Sequence, residues 1–510
     1  MTSTIESPIA QTEMSVASAP KYARKVLFVI WDNYKTERLG IQILSTISTQ
    51  EGYERDILII NDMTPEEAFN KARAYQPDII AYSGMTYEHT ELQKLNRTLK
   101  KTGMEFISIF GGIHYTLNTD DIKNDDAMDV ICRGEGEIAW RSFIKAVRDG
   151  KDYSGIEKLW VRRDGKIIEN PVGLLLENLD DVPFPDRNLI KLDSKDQLLG
   201  DSRFFLFGRG CPQKCTYCFN VNYNDLFSQS RVFRLRSVDN MIQEVKQVVA
   251  EQKNNFVIIN DDIFSYVPKK IMREFCDKYK KEINLPFVCQ FRAESVKDEM
   301  VIMLKEAGMA VAFVGVETGD EDLARGLLER GKITNDDIIR AFEIFNRHGV
   351  RTQSLNMVAL PVEDPLSADW KTIDLNIKIK PFSTQWNILI PILGTPLWDY
   401  VVENKYIDTE SFLNSDRLPS GLTATKIKYK NPYIQRQVNN LHKFAGIVVK
   451  FPFLKPLVKI LIRFPENKLY QYIFLSWYGY WKTIGVYDAR CSFKLILNGL
   501  SAIKKFLKNY

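Results

Sequence analysis

Short apolar runs alternate with helical patterns along most of this chain, and this alternation limits its fold more than any other feature. Five apolar runs of strand length fall between residues 26 and 134. They predict an α/β domain with a doubly wound, Rossmann-like and mostly parallel sheet, whose ligands bind beyond the carboxyl ends of the strands. Polar and glycine-rich clusters lie at those ends: Ser83-Gly84, Gly111-Gly112 and Gly134-Glu135-Gly136.

A second alternating series begins near residue 201. Its apolar runs predict six parallel strands, at residues 203–208, 256–261, 287–292, 310–317, 352–360 and 384–391. Six βα units predict a TIM-type barrel or partial barrel, again with its chemistry at the carboxyl ends of the strands. The irregular, acidic stretch 177–190, which contains Pro183 and Pro185, marks the boundary between the two series.

These patterns divide the chain into five segments. The last is basic, aromatic-rich and expected to be mostly helical, with breaks at Pro452, Pro456 and Pro465. The segments are a disordered tail (1–20), an N-terminal domain (21–175), a linker (176–200), a βα core (201–407) and a helical C-terminal domain (408–510).

The composition favours a cytoplasmic protein. The chain is 45% hydrophobic and 26% charged, which is ordinary for a globular protein. Its start has no apolar region of the kind that a secretory signal needs, and no apolar run reaches eighteen residues. Seven cysteines are few and odd in number for 510 residues, so we expect reduced thiols rather than disulfides.

Three of those cysteines, Cys211, Cys215 and Cys218, are crowded into 208-GRGCPQKCTYCFN-220. A structural zinc site would need four ligands, and no other cysteine lies in a paired motif. Cysteine thiolates also hold iron–sulfur clusters. Three thiolates on a four-iron cluster would leave one iron open, and an open iron can bind a substrate or cofactor.

The spacing Cys-x3-Cys-x2-Cys, on a loop after the first strand of a βα series, resembles the cluster motif of radical S-adenosylmethionine (SAM) enzymes. The resemblance implies a [4Fe–4S] cluster whose open iron binds SAM, and a 5′-deoxyadenosyl radical formed with an electron from a donor such as flavodoxin or ferredoxin. The stretch 391-PILGTPLWD-399 is similar to the family's Pro-Gly-Thr-Pro segment. By the same resemblance we expect the SAM site to include Tyr217, Asp261, Asp262, Arg292 and Glu317.

The N-terminal domain is similar to cobalamin-binding domains, through Ser83-x-Met85, Gly111-Gly112 and the stretch that follows. In the loop 32-DNYKTE-37, Tyr34 and Glu37 stand where the family's histidine-ligated members have His and Gly. We therefore expect cobalt without a histidine lower ligand. The resemblance implies that cobalamin contacts Ser83, Met85, Gly111, Gly112, His114, Gly134 and Glu135.

Together these features resemble cobalamin-dependent radical SAM enzymes, for which methyl transfer from methylcobalamin to an unactivated carbon is the expected reaction. Oxidative ring closure and rearrangement use the same two cofactors and stay open. A non-catalytic cobalamin or redox sensor is a third alternative. A methylthiotransferase acting on transfer RNA would need three more cluster cysteines in the N-terminal domain, which holds only Cys132.

The last ninety residues carry the clue to the substrate. Residues 421–510 hold sixteen Lys or Arg against two acids, a charge of +14, so the first 420 residues carry 4 − 14 = −10. Within this part, residues 443–482 interleave basic and aromatic side chains. This composition suits an anionic membrane surface or a hydrophobic substrate such as a lipid, isoprenoid or tetrapyrrole. A helical cap that packs its aromatics on the barrel is the alternative, and no motif indicates nucleic acid.

Overall fold

The computed structural model describes residues 25–31, 37–86, 88–190, 201–413 and 424–481. The expected disordered tail, most of the loop 32–37, part of the linker and residues 482–510 lie outside these ranges.

The N-terminal domain is built on a seven-stranded sheet. Its strands are β1 (Lys25–Ile30), β2 (Glu54–Ile59), β3 (Ile79–Ser83), β4 (Ile107–Gly111), β5 (Val130–Cys132), β6 (Leu159–Arg163) and β7 (Lys166–Glu169). They lie in the order β2-β1-β3-β4-β5-β6-β7, and the first five are parallel. The antiparallel β6–β7 hairpin was not predicted, although its Asp164-Gly165 turn, with both residues at positive φ, is a strong hairpin signal.

Helices cover both faces of this sheet, so the doubly wound prediction is confirmed. They are α1 (Leu39–Gln50), α2 (Pro65–Tyr75), α3 (His89–Lys101), α4 (Ile113–Leu117), α5 (Asp120–Asn124) and α6 (Glu137–Arg148). Helix α2 begins at a capping box, in which the Thr64 hydroxyl accepts from the Glu67 amide and the Glu67 carboxylate accepts from the Thr64 amide. Separate apolar clusters fill the two faces of the sheet.

The βα core is an open, curled sheet. Its strands and those of a small hairpin are β8 (Ser202–Phe205), β9 (Gly208–Arg209), β10 (Arg234–Leu235), β11 (Phe256–Ile259), β12 (Phe287–Arg292), β13 (Met309–Glu317), β14 (Arg351–Val358) and β15 (Ser383–Ile388). Six of them form the parallel order β15-β14-β13-β12-β11-β8, while β9 and β10 pair antiparallel. The ends β15 and β8 do not pair within the described sheet, so the core is a half-barrel, as the partial-barrel prediction allowed.

The remaining helices flank the half-barrel and extend beyond it. They are α7 (Asn220–Leu226), α8 (Val238–Glu251), α9 (Lys269–Glu282), α10 (Asp298–Glu306), α11 (Glu321–Arg325), α12 (Asn335–Arg347), α13 (Pro365–Ile379), α14 (Pro396–Glu403), α15 (Thr409–Leu413), α16 (Pro432–Lys450), α17 (Lys455–Leu461) and α18 (Lys468–Tyr480).

The C-terminal helices dock on the edge strand β15. Buried His442 of α16 donates its Nε2–H to the carbonyl of Trp386, 3.1 Å away. Pro452 and Pro465 lie between helices, as predicted. Pro456 instead lies in the first turn of α17, where its missing N–H costs no helical hydrogen bond. Among the described residues, no helix is both long and apolar enough to span a membrane.

A buried ion-pair network joins the two domains through the linker. Arg187 lies 2.6 Å from Oε1 of Glu37 on one side and 2.6 Å from Oε1 of Glu244 on the other. The second oxygen of Glu37 accepts from the amide of Phe204 in β8. Glu37, which replaces the glycine of the histidine-ligated motif, thus fastens the end of the β1 loop to the half-barrel.

Candidate cofactor and active site

A cavity of about 460 Å³ lies between the carboxyl ends of the N-terminal strands and the cysteine loop. Ligand sites in proteins are typically about 300–1,000 Å³. Side chains and backbone of both domains form its walls. Six residues predicted to contact a cofactor line it: Ser83, Gly111, Gly112, Gly134, Glu135 and Asp262.

The three cysteines lie together on the loop between β9 and α7. The Cys218 amide donates to the Cys215 carbonyl at 3.0 Å, which turns the loop between these two cysteines. Nη1 of Arg292 lies 3.6 Å from Sγ of Cys215. Burial raises the pKa of Cys211 to about 11 and that of Cys218 to about 12. These two thiols therefore lose their protons only beside a strongly positive partner. Iron ions of a cluster would be such a partner.

The two neighbouring acids at the end of β11 have different roles. Asp261 is buried, and its two oxygens accept from the amides of Phe207 and Gly208 at 2.8 and 2.9 Å. Burial raises the pKa of Asp261 to about 7, against the lowering effect of these hydrogen bonds. Asp261 therefore positions the backbone of Phe207 and Gly208 behind the cavity, and its contact with SAM stays a prediction. Asp262 is exposed and lines the cavity.

Glu317, at the end of β13, has a backbone φ of +62°, in the left-handed region. A side chain there costs roughly 1–2 kcal/mol, and such strain concentrates at functional sites. Burial raises the pKa of its carboxyl group, while the guanidinium groups of Arg330 and Arg292 act in the opposite direction. Arg330 holds this strand end through the carbonyls of Gly315 and Val316.

Two further residues of the predicted SAM site surround the cysteine loop without lining the cavity. Nη2 of Arg292 donates to the Arg330 carbonyl at 2.7 Å, which links the strand ends of β12 and β13. The ring of Tyr217 packs into an apolar cluster that includes Met357 and Leu389. Tyr217 and Arg292 therefore support the cysteine loop, and their contact with SAM stays a prediction.

At Gly111 and Gly112 the N-terminal wall of the cavity is backbone without side chains. The sequence predicted that cobalamin lies close to the chain at this glycine pair. A Cβ built on Gly111 would find no neighbour nearer than 3.9 Å, so a side chain there would project into free space beside the wall. Gly112 has a φ of +95°, and its Cβ would lie 2.8 Å from the Gly84 carbonyl oxygen. Only glycine fits this conformation and this close contact with Gly84, so Gly112 sets the course of the backbone at the wall.

Glu135 has a second role that the sequence did not reveal. Its carboxylate pairs with Arg234, and Arg209 lies 3.3 Å from Oε1. Burial opposes ionisation of Glu135, but the hydrogen bonds and charges of Arg234 and Arg209 outweigh it and hold the pKa below its usual value. Arg209 also pairs with Glu137 at 2.7 Å. Glu135 is thus a bridge between the domains that also lines the cavity, and its contact with cobalamin stays a prediction.

His114 and Met85 lie outside the cavity lining. His114 is buried, its Nε2–H donates to Asp121 at 2.9 Å, and its ring stacks on that of His89. His114 therefore makes its contacts inside the N-terminal domain, and its contact with cobalamin stays a prediction. Met85 is half-buried, and its amide donates to Glu88. The loop 32–36 is outside the described residues, so the lower ligand of cobalt stays a prediction.

Sequence reasoning missed a set of asparagines that follows the last cysteine. Nδ2 of Asn220 lies 3.6 Å from Sγ of Cys218, and Nδ2 of Asn224 donates to the Cys211 carbonyl at 2.8 Å. Asn222 donates to the Gly394 carbonyl in the 391–399 stretch. Three asparagines at alternate positions directly after the motif were a signal that these side chains hold the cluster loop.

Comparisons with known proteins match both halves of this site. The family model of the Radical SAM superfamily matches residues 205–369, and that of the B12 binding domain matches residues 29–144. An uncharacterised methyltransferase of Pyrococcus horikoshii is 22% identical over 431 residues, which cover 83% of this chain and 89% of its own. The hopanoid C-3 methylase of Methylococcus capsulatus is 22% identical over 396 residues, 75% of this chain and 69% of its own.

A solved structure shares the fold. It is that of OxsB, a cobalamin-dependent S-adenosylmethionine radical enzyme with aqua-cobalamin bound, at a TM-score of 0.66 and 15% identity over 95% of this chain and 80% of its own.

The residues present fit these cofactors. Three loop cysteines suit a cluster with one open iron, and the side-chain-free wall at Gly111 and Gly112 suits a bulky ligand. The domains, the relatives and the fold agree with the resemblance seen in the sequence. The chain belongs to the cobalamin-dependent radical SAM enzymes, is related to methyltransferases, and uses a [4Fe–4S] cluster, SAM and cobalamin.

Proposed function

We propose that this enzyme is a C-methyltransferase that transfers a methyl group from cobalamin to an unactivated carbon of a hydrophobic substrate. One observation carries the proposal: a single cavity is lined by the glycine wall of the N-terminal domain and by the loop that follows the cluster cysteines. Holding two reactive centres and a substrate in one enclosed space is a large part of catalysis.

Each residue has a defined task in this proposal. When bound, the cluster with SAM supplies hydrogen-atom abstraction and cobalamin supplies a transferable methyl group. Cys211, Cys215 and Cys218 hold the cluster. Asp262 and Glu317 present carboxylates at the strand ends beside it, where they orient SAM.

The substrate class follows from the walls and the relatives. Apolar side chains form much of the lining, including Ile43, Leu44, Leu206 and Phe219. A relative acts on a hopanoid, according to its name. We therefore propose a lipid, isoprenoid or tetrapyrrole substrate. The reaction needs a one-electron donor, for which flavodoxin or ferredoxin is proposed, and the proposed location is the cytoplasm, at the inner membrane surface.

The first test measures cofactor content after anoxic reconstitution with iron, sulfide and hydroxocobalamin. We expect about four irons per chain, as for one [4Fe–4S] cluster, and about one cobalt. Cys215→Ala should abolish iron retention, whereas Cys276→Ala, which alters a buried cysteine in α9, should not. Iron without cobalt in the unaltered chain would refute methyl transfer through cobalamin.

The second test follows the methyl group. The reconstituted enzyme, a reductant and SAM with a deuterated methyl group are incubated with hydrophobic extracts. A product that carries the deuterated methyl group, formed with 5′-deoxyadenosine and S-adenosylhomocysteine, supports the proposal. A product that has lost hydrogens without gaining the label would identify an oxidative cyclase. Absence of SAM cleavage under reduction would favour the sensor alternative.

A further inference from the structure

The segment around helix α17 exposes a continuous apolar stripe. The four residues are Phe453 in the turn before α17, Leu457 and Ile460 on one face of α17, and Phe464 just after it, at intervals of four, three and four residues. All four are exposed, at 76, 50, 55 and 52% of their surface. On the opposite face, Val458 and Ile462 are buried in the core of the C-terminal domain. The helix therefore presents apolar residues on two sides, only one of which is packed.

A row of cations runs beside the stripe. Lys455, Lys459 and Arg463 are spaced at intervals of four, parallel to the apolar residues. Lys459 and Arg463 are exposed, whereas Lys455 is paired with Asp374. The Lys459 ammonium also lies 5.6 Å from the centre of the Trp370 ring. From residue 424 to residue 481 the sequence holds ten Lys or Arg and one acid, Glu466. Glu466 accepts a hydrogen bond from Asn439 at 2.9 Å, so the one acid of this segment is engaged with α16.

Helix α18 repeats the pattern. Leu469, Tyr472 and Tyr480 are exposed at 64, 45 and 54%, and exposed Lys468 precedes them. The Tyr470 hydroxyl donates to the Leu461 carbonyl at 3.2 Å, which ties the start of α18 to the end of α17. Eight of the fifteen large apolar side chains exposed among the described residues fall within residues 451–480. Such a concentration marks an interaction surface.

We propose that residues 451–480 form a docking surface for an anionic lipid bilayer. The apolar stripe enters the boundary between headgroups and acyl chains, and the exposed Lys459 and Arg463 contact lipid phosphates. A protein partner fits less well, because the cores of protein interfaces are depleted in lysine. Exposure and charge define this surface. Its value to catalysis, access to a substrate dissolved in the bilayer, rests on the proposed function.

The test uses the full-length chain with its cofactors and measures its co-sedimentation with vesicles. We expect binding to mixed phosphatidylcholine and phosphatidylglycerol vesicles, weak binding to phosphatidylcholine alone, and weaker binding at higher salt. The double variant Lys459→Gln, Arg463→Gln should bind anionic vesicles about thirtyfold more weakly. The triple variant Phe453→Ser, Leu457→Ser, Ile460→Ser should lose at least about tenfold.

A matched control carries three exposed apolar changes elsewhere: Leu174→Ser, Val249→Ser and Ile302→Ser. It should bind as the unaltered chain does. All variants should retain iron and cobalt, which separates this test from that of the proposed function. Absence of vesicle binding, or equal loss in the control, overturns the proposal. A chain that self-associates through this face, seen as a lower molecular mass of the triple variant without vesicles, would assign the surface to a second copy instead.

Discussion

The carboxylate of Glu135 and the guanidinium of Arg234 form a two-point ion pair across the domain junction. Oε1 lies 2.7 Å from Nη2, and Oε2 lies 2.9 Å from Nη1. Glu135 follows β5 of the N-terminal domain, and Arg234 lies in β10 of the half-barrel. The pair therefore fixes the two domains at the rim of the cavity, where cofactors of both halves must meet.

Removing one partner of this pair should destabilise the junction. Because the pair is largely buried, Glu135→Gln should cost about 3 kcal/mol of stability, seen as a lower midpoint in thermal unfolding. Arg234→Lys keeps the charge but loses the two-point geometry, so it should have an intermediate effect. The control is Glu299→Gln, which breaks an exposed pair with Lys269 and should leave the thermal midpoint nearly unchanged. Equal effects at both sites would contradict the bridging role.

Gly112→Ala should impair cobalamin binding and stability together. The new Cβ would lie 2.8 Å from the Gly84 carbonyl oxygen, and the backbone φ is +95°. Gly52→Ala isolates the strain of positive φ, because Gly52 has a φ of +82° and no atom within 4 Å of the built Cβ. We expect a loss of about 1 kcal/mol for Gly52→Ala and a larger loss for Gly112→Ala. Cobalt retained after gel filtration should fall only for Gly112→Ala, and normal retention in that variant would count against the glycine wall as the cobalamin site.

Asp261→Asn and Asp262→Asn should separate structure from ligand binding. Asn at position 261 can accept only one of the two backbone hydrogen bonds, since its amide nitrogen faces a second donor. A loss of about 1–3 kcal/mol in unfolding free energy is expected. Asp262→Asn should leave the thermal midpoint nearly unchanged and weaken SAM binding to the reconstituted enzyme. The reverse pattern would show that Asp261, not Asp262, serves the cofactor.

Acid should loosen the C-terminal helices through His442. Burial and, second, the adjacent Lys443 ammonium lower its pKa from 6.5 to about 3, so the folded chain holds His442 neutral. The stability it contributes is complete above pH 6.5 and is lost as the pH falls below that value, at about 1.4 kcal/mol per pH unit. His442→Gln, whose amide can still donate to Trp386, should show a smaller drop in thermal midpoint between pH 7.5 and 5.5. An identical drop in both proteins would rule out His442 as the cause.

Much of the architecture could be read from the sequence because hydrophobic periodicity reports burial directly. The six strands of the half-barrel and the parallel part of the first sheet are examples. The β6–β7 hairpin was missed because its strands are only five and four residues long, which is too short for a clear hydrophobic alternation. The cysteine loop was located from spacing alone, since the three thiols are close in sequence.

The partners of individual side chains could not be read in the same way. Glu135 and Arg234 lie 99 residues apart, and nothing local indicates that they pair. Asp261 and Asp262 are adjacent and chemically identical. Only the direction of each side chain at the end of β11 decides that Asp261 accepts hydrogen bonds from backbone amides and that Asp262 lines the cavity. His114 follows the glycine pair, yet α4 turns its ring towards Asp121.

The Glu37–Arg187–Glu244 network has a kinetic consequence. A hinge motion that swings the N-terminal domain away from the half-barrel would break one of the two ion pairs of Arg187 and the Glu135–Arg234 pair as well, each at a cost of roughly 3 kcal/mol. An open state of that kind would be occupied by roughly one molecule in ten thousand. Exchange of substrate and spent cofactor on the time scale of turnover must therefore use small movements of loops at the mouth of the cavity, while the two domains travel as one body.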